Sequence, residues 1–189
     1  MKKAAERPDL TTMRREDRAK EDEWIREYLT NAPYGVMATV SEGQPFQNIN
    51  PFVYDGDTHS IYIHTAGEGR LRTIAERGGR VSYCAGSMGR LLPSKRARGF
   101  SVEYESVIVF GTISLIDDPT FARAKLQLLL DKYFPHMKSG PDYRPITSEE
   151  VAEVSAYQIK IDAWSGKKKK VKDDYPGAFL FGSPPPAES

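Results

Sequence analysis

The sequence contains very little cysteine and histidine. Of its 189 residues, Cys84 is the only cysteine, and three are histidines. One thiol cannot form an intramolecular disulfide, and so few soft ligands exclude a cysteine-based zinc site. The composition therefore predicts a protein of a reducing compartment, the cytoplasm, without a bound metal.

Long apolar runs and an excess of charge are missing as well. No apolar run is long enough to span a membrane, and residues 1–20 lack the apolar segment of a secretory signal. The 27 basic and 26 acidic residues leave a net charge of +1. Such a small charge predicts no general attraction to a membrane or to nucleic acid. A local basic patch on the 90–98 loop or the lysine run 167–170 stays open as an alternative.

The chain divides into one domain and two extensions. Residues 1–20 alternate charges without periodicity and are predicted to form a flexible N-terminal arm. Residues 21–168 have the length of one domain with a single core. Residues 169–189 end in SPPPAES and are predicted to be a C-terminal tail without order of its own.

Alternating apolar residues and turn signals predict an antiparallel β fold. Strands are predicted over 34–41, 46–55, 60–65, 81–85, 102–117 and 155–164, the fifth being one long strand or a hairpin with a bend near Gly111. The first three are joined by such short links that they should form an antiparallel meander. Six strands with few helices favour a mainly β (α+β) small barrel, closed or half-open, because closure of a sheet removes exposed edges.

Helical signals separate some of these strands. Apolar spacing in DEWIREYL (22–29) predicts an amphipathic helix, and a second helix should begin after Gly69. Asp118 followed by proline predicts the N-cap of a third helix. Thr147 and Glu150 have the spacing of a capping box for a short fourth helix.

The turn before the second helix has the composition of an anion site. A helix that begins near Gly69 leaves unpaired N–H groups and partial positive charge at that end. Arg70 and Arg72 can donate charge-assisted hydrogen bonds, and Thr65 can add a hydroxyl. The turn is neither a dinucleotide fingerprint nor a P-loop. It predicts a phosphate site, with a solvated surface turn as the alternative.

Several separated motifs resemble one known family. Ile63-His64-Thr65 followed by Gly69-Arg70-Leu71 is similar to the flavin-phosphate motif Phe-Tyr-Thr, a gap, then Ser-Arg-Lys. Other similar segments are SVEYESVIVFG (101–111), WSGK (164–167), DEWIREYL, LLPS and RPITSEE. The family is the pyridoxamine 5′-phosphate oxidase-like FMN-binding split-barrel family. The histidine at the strand end is closest to its nitroimidazole-reductase (Nim-type) branch, and the similarity covers residues 20–168.

The resemblance implies a six-stranded split barrel that forms a homodimer, with one FMN in each of two clefts between the subunits. It also implies which residues contact the cofactor. On the phosphate side these are Thr65, Gly69, Arg70, Leu71 and Arg72; beside the isoalloxazine ring they are Asn50, Pro51 and His64; and lining the cleft, in part from the other subunit, they are Tyr104, Ser106, Trp164 and Lys167.

The same resemblance implies an activity. The protein would pass electrons from a nicotinamide donor through FMN to a small acceptor such as a nitroimidazole. No nicotinamide-binding fingerprint is present, so the donor would bind transiently at the open face of the flavin. A non-catalytic flavin or haem carrier, or a sensor, on the same barrel stays open as the alternative.

Two departures from the family pattern argue against vitamin B6 oxidation. Leu71 stands where pyridoxamine 5′-phosphate oxidases have a lysine, which removes one phosphate-binding cation. After Trp164, no counterpart is evident for the arginine and histidine with which those enzymes bind their substrate.

Some residues allow two roles. A neutral His64 imidazole could donate a proton or hydrogen bond to the substrate as a catalytic residue, or it could only pack on the cofactor. Trp164 could line the cleft or belong to the core. Lys167 could attract phosphate or only be solvated. Glu103 and Glu105 share one strand face and are expected to be exposed.

Overall fold

The computed structural model describes residues 10–183. The helices are α1 Asp22–Asn31, α2 Arg70–Glu76, α3 Pro119–Tyr133 and α4 Ser148–Ala152, with short 3-10 turns at Glu16–Arg18 and Ala97–Gly99. The strands are β1 Ala19–Lys20, β2 Gly35–Ser41, β3 Gln44–Asn50, β4 Val53–Asp55, β5 Ser60–Ala66, β6 Arg80–Leu92, β7 Ser101–Leu115 and β8 Val154–Lys169.

These strands form an open antiparallel sheet in the order β3-β2-β6-β7-β8-β5-β4, with β1 paired to β8 beside that path. The first and last strands of this order, β3 and β4, are joined by Pro51 and Phe52 alone. The sheet must therefore curl until its ends nearly meet, although no ladder joins them in the part of the chain that the structure describes. We call the gap between β3 and the β4–β5 pair the split. The antiparallel split-barrel prediction is confirmed, with eight strands instead of six within residues 10–183.

The predicted meander of the first three strands is wrong. β2 pairs with β3 and β4 pairs with β5, but the chain crosses the split between Asn50 and Val53. Pro51 has no N–H group to donate to a ladder. The N–H of Phe52 instead donates to the Tyr133 hydroxyl at 2.9 Å. One predicted strand over 46–55 is thus two strands at opposite ends of the sheet.

The core lies inside the curled sheet. Ile25 and Leu29 of α1 pack into it, while Leu129 of α3 packs outside the sheet against Val53 and Tyr62. Cross-strand contacts of buried β-branched and aromatic side chains stabilise such a sheet. The largest fully buried side chains are Tyr62, Tyr83, Tyr157, Phe52, Ile25, Leu29, Met37, Ile61, Ile63, Ile113, Ile159 and Val107.

The helix caps follow the sequence signals. The Asp118 carboxylate accepts from the N–H of Thr120 at 2.9 Å and caps α3. Thr147 and Glu150 form the predicted reciprocal capping box of α4. Within residues 10–183, no helix has the length and apolarity needed to cross a membrane. The bend predicted near Gly111 is a register shift between β7 and β8 at that residue.

The expectation that Glu103 is exposed is wrong. Its side chain lies against Arg90, whose Nε and Nη2 each donate to one carboxylate oxygen at 2.9 Å. The Val171 N–H donates to the same carboxylate at 2.8 Å. These hydrogen bonds, the one from Arg90 foremost, lower the pKa of Glu103 to about 2. The predicted 90–99 loop therefore begins only after Leu92, because Arg90 belongs to β6.

Part of the segment predicted as the C-terminal tail lies against β6. Arg90 Nη1 donates to the backbone oxygen of Asp173 at 2.8 Å. Leu91 and Phe179 form an antiparallel bridge, in which the Leu91 N–H donates to the Phe179 oxygen at 2.7 Å. At the other terminus, β1 gives the last two residues of the predicted arm a place in the sheet.

Candidate functional site

Arg70 spans the split. It begins α2, which follows β5 after the loop 67–69, and its guanidinium carbon lies 4.3 Å from the centre of the Phe46 ring on β3. Cation–π attraction favours a guanidinium in this position. None of the carboxylates described in residues 10–183 forms an ion pair with Arg70. Its charge is therefore available to an anion at the split.

Two asparagines on β3 carry unpaired polar atoms beside Phe46. Asn48 and Asn50 share the strand face of Phe46, which is the face of buried Met37 on β2. Asn50 is 8% exposed, and the Oδ1 atoms of both asparagines are buried without a hydrogen-bond partner in the described part of the chain. An unpaired buried polar atom is costly, so it commonly indicates a missing partner such as a ligand.

Arg72 shapes the loop that leads into α2. Its Nη1 donates to the Gly67 oxygen at 3.0 Å and to Ser155 Oγ at 3.2 Å, and its Nε donates to Glu76. Gly69 has φ of 131°, a conformation that L side chains rarely adopt, and the space beside its Cα is open. Arg72 is thus committed to the loop, while Arg70 remains free. Because α2 has only seven residues, Arg70 and not the helix terminus supplies most of the positive charge.

Two other residues predicted on the phosphate side are largely committed to the fold. The Thr65 hydroxyl lies 3.1 Å from the Tyr157 hydroxyl and 3.0 Å from the Ala66 oxygen. Leu71 is 5% exposed and packs in the core, so only its backbone could face a ligand. The buried position also explains why a leucine can stand there.

His64 lies on the opposite face of β5 from Thr65, as strand alternation requires. Tyr62, two residues earlier on the same face, packs under α3. His64 itself is exposed and has no hydrogen-bond partner among the described residues. Neighbouring atoms remove part of its hydration, which lowers the pKa of the imidazole and favours its neutral form.

The imidazole opens on a groove of about 380 Å³ between β5, α3 and α4. Its floor is apolar, and its rim carries a phenol, a guanidinium and two carboxylates. The lining residues are His64, Leu126, Leu129, Leu130, Tyr143, Arg144, Ile146, Glu150, Glu153 and Val154. Arg144 is paired with Glu150 at 2.8 Å, while the Glu153 carboxylate has no ion pair among the described residues, so the groove suits a neutral ring that can donate hydrogen bonds.

Trp164 is held within its own subunit. Its Nε1 donates to Asp22 Oδ1 of α1 at 2.8 Å, and the Arg26 guanidinium lies 5.4 Å from its ring centre. The rings of His59 and Tyr54 pack around it at 4.6 and 5.9 Å. His59, which is half-buried, adopts φ of 49°. That backbone shape left no signal in the sequence.

Tyr104, Ser106 and Lys167 lie far from the phosphate residues of the same chain. Ser106 pairs with Lys167 near the end of β8, whereas Thr65 pairs with Ser155 at its beginning. Twelve residues of strand between them span roughly 35–40 Å at about 3.3 Å per residue. The Tyr104 hydroxyl accepts from Arg18 at 2.9 Å. A single subunit therefore does not bring the two predicted sets together.

The sheet face that carries Ser106 and Lys167 is uncharged in its middle. Strand registers align residues from β3, β2, β6, β7 and β8 in two adjacent rows, in a chain with 28% charged residues. The first row is Ile49, Val36, Cys84, Ile108 and Ser165, and the second is Gln47, Ala38, Ser82, Phe110 and Ala163. Ile49 is 70% and Ile108 is 38% exposed. An exposed apolar patch of this kind marks an interaction surface. We call these two rows the uncharged face.

Comparison with known proteins identifies the family. A family model described as pyridoxamine 5′-phosphate oxidase matches residues 21–168. The chain belongs to this family. No curated protein matches the sequence.

Solved structures of family-like barrels are similar to this chain over most of its length. The FAD and heme binding protein from Mycobacterium smegmatis is 25% identical, with a TM-score of 0.72, over 80% of this chain and 72% of its own. The flavocytochrome Anf3 from Azotobacter vinelandii is 20% identical, with a TM-score of 0.73, over 96% and 89%. A candidate 5-nitroimidazole antibiotic resistance protein from Bacteroides thetaiotaomicron is 20% identical, with a TM-score of 0.65, over 79% and 86%. The last two likenesses establish the split-barrel fold.

The residues at the split fit a flavin. The free Arg70 guanidinium suits a phosphate, and the buried Asn50 amide oxygen lacks the donor that a heterocyclic N–H would supply. β3 is the end strand of the sheet, so one of its edges presents unpaired backbone groups to a planar polar ring. Phe46 and Asn48 were not singled out from the sequence. Their alternation with Asn50 along β3 is the signal that could have found them.

Proposed function

We propose that the protein is an FMN-binding flavoprotein that passes electrons from a nicotinamide donor to a small acceptor such as a nitroimidazole. The proposal rests on the composition of the split. The unpaired charge of Arg70 lies over Phe46 of β3. The same strand carries the buried Oδ1 atoms of Asn48 and Asn50, which lack hydrogen-bond partners among the described residues. A phosphate group and a flat polar heterocycle would satisfy both.

The residues of the chain bind and orient, while the bound flavin supplies the electron-transfer chemistry. Arg70 would hold the phosphate, with the open backbone at Gly69 allowing close approach. Asn50 and the free edge of β3 would hydrogen-bond the ring. Arg72 would keep the loop in shape through Gly67 and Ser155, without contacting the cofactor through its side chain.

The proposed working unit is a homodimer. Within one chain, Thr65 and the Ser106–Lys167 pair are separated by most of the length of β8. A second copy, docked on the uncharged face, would bring its Ser106 and Lys167 toward the first copy's split. Burying the uncharged face in an interface would cost little desolvation free energy, because its two rows contain no charged side chain. Each cleft would then be completed by both chains.

His64 is proposed to act on the acceptor. Its lowered pKa keeps the imidazole neutral near physiological pH, so that one ring nitrogen can donate a hydrogen bond and the other can accept one. The groove beside it, with its apolar floor, would admit a small uncharged ring. This role competes with simple packing of the imidazole against the cofactor.

A second candidate is a flavin or haem carrier without fast turnover. It is favoured by the Mycobacterium smegmatis relative, whose description names FAD and heme binding. Oxidation of pyridoxamine 5′-phosphate itself is disfavoured, because the buried Leu71 cannot replace the lysine of that activity.

The test is an absorption spectrum of the purified protein before and after incubation with FMN, FAD or haem, followed by gel filtration. The proposal predicts that FMN bands are retained in equimolar amount on a particle of twice the 21.2 kDa chain mass. Oxidation of NADH or NADPH that depends on a 5-nitroimidazole would then separate an enzyme from a carrier. Retention of FAD or haem in preference to FMN would overturn the FMN assignment. A protein that retains its cofactor but lacks this activity would establish the second candidate, and retention of none would refute both.

A further inference from the structure

The last turn of α3 grips the peptide that crosses the split. Lys132 Nζ donates to the Phe52 oxygen at 2.9 Å and lies 3.4 Å from the Leu29 oxygen near the end of α1. The same amine lies 4.1 Å from the centre of the Phe52 ring. One side chain thus joins α1, α3 and the crossing segment.

The neighbouring residue grips the same peptide from its other side. The Tyr133 hydroxyl accepts from the Phe52 N–H at 2.9 Å and donates to the Pro33 oxygen at 2.7 Å. Phe52 therefore has both its N–H and its C=O satisfied by consecutive side chains of α3. In a strand these groups would bond to a neighbouring strand, which Phe52 does not have.

The hydrogen bonds to Phe52 also restrain Asn50, because only one residue lies between them. That residue, Pro51, has a fixed φ and cannot swing freely. On the far side, the Tyr83 hydroxyl donates to the Asn50 oxygen at 3.3 Å. The segment from Asn50 to Phe52 is therefore held at both ends, and its β3 end carries the unpaired Oδ1 of the split.

Placing the Lys132 amine against the crossing segment costs desolvation free energy. No carboxylate of the described chain pairs with Lys132, and its contacts are carbonyl oxygens and ring faces. Burial lowers the pKa of Lys132 to about 8. A methionine or leucine would fill the same space without that cost, so the presence of the amine is accounted for by the peptide that it holds.

We propose that Lys132 and Tyr133 are positioning residues for the cofactor site, which set the place of Asn50 by holding the Phe52 peptide. The inference rests on the proposed flavin function, since Asn50 is its contact with the ring. Neither side chain is required to touch the cofactor. Loss of either should leave the barrel folded but place the Asn50 amide less well against the ring.

The experiment compares Lys132→Met and Tyr133→Phe with wild type and with Lys138→Met, an exposed control near the same helix. FMN affinity is measured by quenching of flavin fluorescence, and the visible absorption band of bound FMN is recorded for each variant. Each test variant should weaken FMN binding by about three- to tenfold, the loss of a typical hydrogen bond, and should shift or broaden the bound-flavin band. Lys138→Met should match wild type in both.

Hydrogen exchange of the flavin-free proteins supplies a readout that does not depend on the cofactor. The Phe52 amide should be protected in wild type and in Lys138→Met, and should exchange faster in Tyr133→Phe, which removes its acceptor. Unchanged FMN affinity and an unchanged flavin band in both test variants would overturn the positioning role, even if their thermal stability fell. Failure of wild type to bind FMN is read separately and would refute the proposed function and this role together.

Discussion

The guanidinium of Arg70 lies over the ring of Phe46, 4.3 Å from its centre, and so connects the two ends of an open sheet. Phe46 belongs to β3, at one end of the sheet. Arg70 begins α2, which follows β5, and β5 lies beside β4 at the other end of the sheet. The contact places a cation without a carboxylate partner at the split. Cation–π attraction at an exposed site is weak, about 0.5–1 kcal/mol, so a phosphate can easily recruit the guanidinium.

Replacing Arg70 with alanine should impair FMN binding without unfolding the protein. The change removes charge-assisted hydrogen bonds, each of which is worth about 1.5–3 kcal/mol, so the FMN dissociation constant should rise by about 10- to 100-fold. Arg14→Ala, at an exposed arginine that precedes the first strand, is the control and should bind as wild type does. A titration of flavin fluorescence measures both. Equal affinity of Arg70→Ala and Arg14→Ala would exclude Arg70 as the phosphate ligand.

Replacing His64 with glutamine should reduce turnover more than FMN retention. If the neutral imidazole relays a proton to the acceptor, taking one from water at one ring nitrogen and giving one from the other, kcat with NADH and a 5-nitroimidazole should fall by about 100-fold in the variant. Partial desolvation lowers the pKa of His64 below its ordinary 6.5, so wild-type activity that needs the neutral ring should decline only below that pH. The variant should lack this inflection.

The control for His64 is the flavin itself. Retained FMN after gel filtration, compared between His64→Gln and wild type, separates catalysis from packing. Parallel losses of retention and turnover would show that the imidazole only packs on the cofactor.

The sequence predicts those parts of the site that depend on local residue composition, and it does not predict those that depend on strand pairing. The α2 loop was predictable, because glycines and arginines between a strand and a helix are typical of an anion site. The crossing at Pro51 was not, since the apolar pattern of 46–55 continues through it and only the partner strands change. The burial of Glu103 was also hidden, because its partner Arg90 lies on another strand in a segment with the composition of a loop.

Introducing a charge into the uncharged face should separate the proposed dimer. Ile108→Arg would place a guanidinium at the middle of the face, where a second copy would have to desolvate it. Gel filtration should then give the mass of one chain, and FMN should no longer be retained, because each cleft would lose the partner's residues. Phe134→Arg, on an exposed side chain beyond α3, should leave both properties unchanged.

Cys84 offers an independent check of whether the uncharged face is the dimer interface. It lies in the row of Ile108 and is directly paired with it. Burial raises the pKa of the thiol and slows its reaction, and a docked copy would cover it further. Because a new guanidinium opposite the thiol would itself activate it, the labelling uses Ile108→Glu, whose carboxylate does not: iodoacetamide should label Ile108→Glu faster than wild type. Equal labelling together with an unchanged mass would argue against this face as the interface.

Replacing Glu103 with glutamine should cost stability in a way that depends on pH. The carboxylate accepts from Arg90 and from the Val171 N–H, and these bonds lower its pKa from 4.5 to about 2. A carboxylate with a lowered pKa stabilises the fold fully above its unfolded-state pKa and loses that contribution as the pH falls through its folded-state pKa. Glu103→Gln should thus lower the free energy of unfolding by about 2–3 kcal/mol near neutral pH.

Urea unfolding of wild type and variant between neutral pH and about pH 2 measures this difference, which should shrink steadily below pH 4.5. The matched control is Glu105→Gln, two residues along β7, whose ion pair with Lys168 is about one-third exposed on both sides. Such a pair contributes about 0–1 kcal/mol, so the control should lose little. A difference that is equal for the two variants, or constant with pH, would mean that the Arg90–Glu103 pair does not anchor the C-terminal segment against β6.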